Sequence, residues 1–225
     1  MKRALFIALL LISVAGFAVA PYLIIFRAPV LPNLGFIQKI FYFHVPCAWA
    51  MFLSVLICAV GSCAWLFANK RWGDRLAVSA AELTVVFGTL VLITGPLWAK
   101  VAWGRYWIWD VRLTTVFVLY LIFVAVLLAR RYAGPAGRRI AAGLSLFGAA
   151  EVPLVYFSVN LWNAQHPPTS TVGTLHPQMK IAFFISLALF TCLYLLLLWI
   201  RLSAERLQQR TEELALRLME RDGSP

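Results

Sequence analysis

Residues 77–98 read AVSAAELTVVFGTLVLITGPLW, and residues 99–112 continue as AKVAWGRYWIWDVR. The first stretch can cross a bilayer, since a spanning helix needs about 20 mostly apolar residues. The second is too polar to follow it. It sets Trp103, Trp107 and Trp109 close together beside Arg105, Asp110 and Arg112. A span followed by a short, ring-crowded connection sets the pattern for the chain.

Working outward, six stretches meet the same criterion: about 4–26, 43–68, 77–98, 113–132, 140–161 and 179–200. Composition agrees, at 62% hydrophobic and 13% charged, with a mean hydropathy of +0.83. A soluble domain is nearer 45–50% apolar and about 25% charged. The fold class is therefore an all-α integral membrane protein with six transmembrane helices. There is no internal repeat and no linker long enough to separate domains, so residues 1–225 are read as one unit. The net charge of +11 would suit nucleic acid, but the basic residues lie between apolar runs rather than on one soluble face. Cys47, Cys58, Cys63 and Cys192 form no CxxC pair and mostly lie in apolar runs, as small buried hydrophobes do.

The opening MKRALFIALLLISVAGFAVA has the basic start, apolar middle and Ala-Val-Ala close of a secretory signal. Pro21 follows directly and disfavours cleavage, and the apolar run continues through PYLIIF. A retained first helix is expected.

Orientation follows from Lys and Arg in short connections, which favour the cytoplasm. One side carries Lys2, Arg3, the 69–76 loop, the 129–139 loop and the tail, fourteen basic residues in all; the other side carries six. Both termini are expected in the cytoplasm, with external loops at about 27–42, 99–112 and 162–178. The tail SAERLQQRTEELALRLME places Leu207, Leu214 and Leu218 near helical spacing among charges, the pattern of a short amphipathic cytoplasmic helix. Lying on the membrane surface, docking a partner and simple solvation all remain open for it.

On this topology His44, His166 and His176 are all external, and so is WGRYWIWD. Trp and Tyr gather at bilayer interfaces in any case, which accounts for Trp72, Trp98 and Trp162. A belt does not call for three tryptophans interleaved with charges. If residues 103–110 are helical, Trp103 and Trp107 share a face; if extended, Arg105, Trp107 and Trp109 do. Either way an aromatic surface has cations at its edge. That suits a planar apolar ligand with carboxylates, stacked on rings and paired with Arg105, Arg112 or Lys100. Gly104 lets the chain bend, and Asp110 is expected to hold a neighbouring cation. Neutral imidazole is a common axial ligand of haem iron, and the two flanking loops could each supply one.

The run WGRYWIWDVRLTT is similar to the tryptophan-rich WGxxWxWD signature of the haem-handling proteins of cytochrome c maturation. Its continuation Asp110-Val111-Arg112-Leu113-Thr114-Thr115 resembles the haem exporter C subfamily. FYFHVPCAW at 41–49 and YFSVNLWNAQHPP at 156–168 resemble two further blocks of that subfamily. The resemblance covers about 36–200. It implies haem (b-type, non-covalent) ligated by His44 and His166 and cradled by Trp103, Gly104, Trp107, Trp109 and Asp110. It further implies delivery to a periplasmic haem chaperone, beside an ABC-transporter ATPase and membrane subunits and a small single-span subunit, in the cytoplasmic (inner) membrane. Tyr106 stands where a tryptophan is often found, and His176 has no counterpart in the pattern. A haem lyase, which Cys47 near His44 could serve, and a structural transporter subunit are the alternatives.

Glu82 and Glu151 fall within spans, where an ionisable group is costly. Glu82 is expected to snorkel or pair with Arg75. Glu151 is expected to be protonated or bonded to a Thr or Ser.

Overall fold

The computed structural model describes residues 2–162, 164–168 and 170–222. Asn163, part of the Trp-Asn pair in the third block, lies outside the described residues. The first helix, α1 (Lys2–Tyr22), ends in a π-helical turn at Leu23–Arg27 just after Pro21, whose missing N–H breaks the regular ladder. A 3₁₀ turn at Gly35–Ile40 leads into α2 (Phe41–Ala68). Then come α3 (Arg71–Trp103), α4 (Val111–Tyr132), α5 (Gly137–Trp162), the single-turn α6 (Thr171–Thr174) and α7 (Pro177–Asp222). Six helices are long and apolar enough to cross a membrane, and no strand occurs among the described residues.

The helices outrun the spans read from hydropathy where polar residues find partners. α3 begins at Arg71 because Asp74, inside its first turn, is buried and accepts from Arg130 Nη1 at 2.6 Å, with Arg138 3.8 Å away. This ties α3 to α4 and α5 at what we term the basic end. Asn69 takes the left-handed conformation after α2 (φ 48°), as Asn tolerates, and so closes a tight α2–α3 hairpin. The tail is not a separate helix: it is the continuation of α7, 46 residues in one run. Arg71 to Glu213 (2.7 Å) and Arg75 to Gln209 (3.2 Å) hold it beside the start of α3. Glu82 pairs with Arg201 of α7 rather than with Arg75. Glu151, expected to be protonated or bonded to a Thr or Ser, has its Oε2 buried with no such bond among the described residues.

The core lies between α2, α3, α4, α5 and α7, around Met51, Val55, Phe87, Leu119, Phe123 and Tyr194. Polar groups in it bond across helices, as a hydrocarbon setting demands. Ser54 Oγ donates to the Ala80 carbonyl at 2.7 Å, and Tyr194 donates to Ser54 at 3.2 Å. This packing fixes α2 against α3. At the opposite, aromatic end the same helices part around a cavity.

Candidate functional site

α3 ends at Trp103 because Gly104 adopts φ 74°, a left-handed C-cap that glycine takes without a Cβ penalty. The chain then runs irregularly to Asp110, whose Oδ1 accepts from Leu113 N at 2.8 Å and caps α4. The aromatic stretch is thus the strap between α3 and α4. Trp98, Trp103, Trp107 and Arg112 line a cavity of about 480 Å³ together with His44 of α2 and His166 of the loop after α5. Small-molecule sites run to roughly 300–1,000 Å³ with mainly apolar walls. Here the walls are mostly Leu, Val, Ala, Phe, Pro and Trp.

Both imidazoles are anchored through Nδ1. His44 Nδ1 lies 2.8 Å from Thr94 Oγ1. His166 Nδ1 lies 2.8 Å from the Pro167 carbonyl. A carbonyl only accepts, so His166 carries its proton on Nδ1 and keeps the Nε2 lone pair. Burial in the cavity wall, reinforced by the Arg112 guanidinium, pushes the His166 imidazole down to about 4, against a smaller upward pull from the Pro167 bond. It is therefore neutral near pH 7, the form that binds metal.

The sequence-predicted residues divide. The cavity gathers His44, His166, Trp103, Trp107 and Arg112. It does not gather Gly104, Arg105, Trp109 or Asp110. Trp109 is 74% exposed and meets Trp107 edge-on at 5.6 Å. Arg105 is exposed, and Lys100 turns away to the Gly104 carbonyl (3.1 Å) and the Tyr106 ring (5.3 Å). Asp110 makes no direct ion pair among the described residues, but its charge acts on the nearby Arg112 guanidinium and favours its protonated form. Asp110 Oδ2 accepts from Gln165 N at 3.1 Å, clipping the strap to the residue before His166. Arg112 donates to the Val155 and Tyr156 carbonyls of α5 at 3.3 and 3.4 Å. His176 does not line the cavity; it accepts from Gln178 N. Cys47 is fully buried and does not line the cavity, so its thiol is not presented to the site a lyase would need.

Sequence reading missed Gln38, Trp98, Thr94 and Gly95. Gln38 and Trp98 line the cavity, and a Cβ at Gly95 would sit 3.2 Å from His44 Cε1. Trp98 looked like an interfacial anchor, but it packs edge-on with Trp103 at 5.4 Å.

A family model for heme exporter protein C matches residues 1–217. The chain belongs to the heme exporter protein C family. Relatives agree. A putative cytochrome c biosynthesis ccmC-like mitochondrial protein of Marchantia polymorpha is 34% identical over 176 residues, 77% of this chain and 75% of its own. The heme exporter protein C of Bradyrhizobium diazoefficiens is 32% identical over 188 residues, 81% of this chain and 72% of its own. That of Escherichia coli is 32% identical over 175 residues, 73% and 64% of the two chains. Family membership and the six spans make this a multi-pass membrane protein of haem handling in cytochrome c biogenesis. The lining fits haem as cargo. Apolar walls suit a porphyrin face, Arg112 suits an anionic edge, and two histidines face the same space. The Trp107 Nε1–H is buried in that wall without a partner among the described residues, a donor for a polar group of the guest.

Proposed function

We propose that the chain binds haem at the outer face of the cytoplasmic membrane and delivers it to a periplasmic haem chaperone during cytochrome c maturation. It is a transfer protein rather than an enzyme, and residues 1–225 act as one haem-handling transmembrane domain. His44 and His166 supply the axial nitrogens. Trp103 and Trp107 flank the ring, and Arg112 neutralises a carboxylate. Gly104 and Asp110 shape the strap that carries the tryptophans. Trp109 and Arg105, exposed beyond the cavity, present the loaded site to the chaperone. The basic end faces the cytoplasm by the excess of Lys and Arg there. The ABC-transporter ATPase and membrane subunits and a small single-span subunit are the expected partners.

One observation carries this reading: two histidines distant in sequence line one apolar cavity with Trp103, Trp107 and Arg112. The test is optical. Purified protein loaded with haem shows a Soret band with the split visible bands of a six-coordinate low-spin iron. The double variant His44→Ala, His166→Ala loses it. A double variant that keeps the wild-type spectrum overturns the assignment.

A further inference from the structure

We propose that Thr94 is a positioning residue that fixes the proton of His44 on Nδ1 and so presents Nε2 to the iron. The proposal rests on the haem reading above and adds a residue that the motif does not contain.

The argument is a count of protons. Thr94 Oγ1 lies 2.7 Å from the Leu90 carbonyl oxygen, one turn back along α3. Two oxygens at that distance need a hydrogen between them, and a carbonyl has none to give. The hydroxyl proton therefore lies on the Leu90 side. Toward His44 the same oxygen has only a lone pair to offer, at 2.8 Å from Nδ1. For that contact to be a hydrogen bond, Nδ1 must carry the proton. A neutral imidazole has only one ring proton, so Nε2 is left bare.

Without this contact the preference runs the other way. Free neutral histidine favours the tautomer protonated on Nε2, and that nitrogen cannot then bind a metal. Thr94 reverses the intrinsic preference before any ligand arrives. Gly95 completes the seat: a Cβ there would come within 3.2 Å of His44 Cε1, so its absence leaves room for the ring against α3. The two helices concerned are held rigid below the site by the core between α2 and α3. His166 reaches the same tautomer by a different acceptor, the carbonyl of its own neighbour Pro167. Both rings thus leave Nε2 as the free lone pair. Outer partners of metal-ligating histidines set tautomer and ring angle in this way, and losing one typically costs about 10–100-fold in metal affinity.

The experiment uses the full chain in lipid nanodiscs, with Thr94→Val, which keeps the shape and removes the hydroxyl, and Thr94→Ser, which keeps the hydroxyl. The first readout is the ring ¹⁵N spectrum of haem-free protein labelled at histidine. Wild type and Thr94→Ser show His44 protonated on Nδ1, and Thr94→Val shows it mainly on Nε2. The second is titration with hemin: Thr94→Val binds at least about tenfold more weakly, and Thr94→Ser stays within about twofold of wild type. If Thr94→Val does not accumulate in the membrane, Thr94→Ala removes the same hydroxyl and is read identically. A hydroxyl-free variant that keeps His44 protonated on Nδ1, or binds hemin as wild type does, overturns the proposal. A wild type that takes up no hemin overturns the haem reading instead, while the nitrogen spectrum still decides whether Thr94 sets the ring.

Discussion

His44 and His166 reach one cavity from mountings of different stiffness. His44 stands on α2 between Tyr42 and Cys47, both out of solvent, and its ring is braced by Thr94 of the neighbouring α3. His166 stands on a loop, steadied by the carbonyl beside it and by the clip from Asp110 to Gln165 N. Loops open at lower free energy than packed helices. In the proposed transfer, one ligand keeps the cargo located while the other lets it go.

The sharpest way to break this comparison is to remove each imidazole alone. His44→Ala is expected to weaken haem binding by more than about 100-fold, beyond the usual effect of an outer partner. His166→Ala is expected to leave a five-coordinate complex, held more tightly than in His44→Ala and released faster than in wild type. Hemin titration and stopped-flow transfer to apomyoglobin measure both. Equal losses in the two variants would erase the distinction.

Next in size is the clip. Asp110→Asn can still cap α4 through its amide oxygen, but then sets an NH₂ against the Gln165 N–H. We expect about tenfold faster haem release and faster amide exchange at Gln165. Asp110→Ala loses the cap as well, at about 1 kcal/mol of helix stability, readable as a lower unfolding temperature. Unchanged release in Asp110→Asn would show that the loop needs no clip.

Smaller again is the contrast between neighbouring tryptophans. Trp107→Ala removes a cavity wall, and ring contacts of about 0.5–1.5 kcal/mol predict up to roughly tenfold weaker binding. Trp109→Ala, at an exposed position, is expected within about twofold in hemin affinity, with its effect confined to transfer rates. The smallest effect belongs to Arg71→Ala at the far end. Its ion pair with Glu213 is exposed at both partners, and such pairs contribute about 0–1 kcal/mol. Hemin affinity there should not move.

The six spans were legible because hydrocarbon selects apolar residues in runs of fixed length. The ends of the helices were not, since hydropathy reports the solvent and not the backbone. Arg71 to Arg75 looked like a loop, and Asp74 makes it helix by pairing with Arg130, 56 positions away. Within the site, His44, His166, Trp103, Trp107 and Arg112 carried visible chemistry in three blocks. Thr94 carried none, as a threonine in an apolar run gains meaning only from a ring 50 positions earlier. Trp109 was indistinguishable from Trp107, because the strap turns between Gly104 and the α4 cap and no periodicity governs it.

The length of α7 sets a mechanical limit of its own. At about 1.5 Å per residue, its 46 residues make a rod of roughly 70 Å, whereas a bilayer with its headgroups is about 40–45 Å thick. Starting at Pro177, just ahead of the apolar run, a rod of that length standing near the bilayer normal projects well clear of the opposite headgroups. Leu207, Leu214 and Leu218 therefore ride on a mast standing off the lipid, and a protein docking on that mast could be felt at its foot without touching the bilayer.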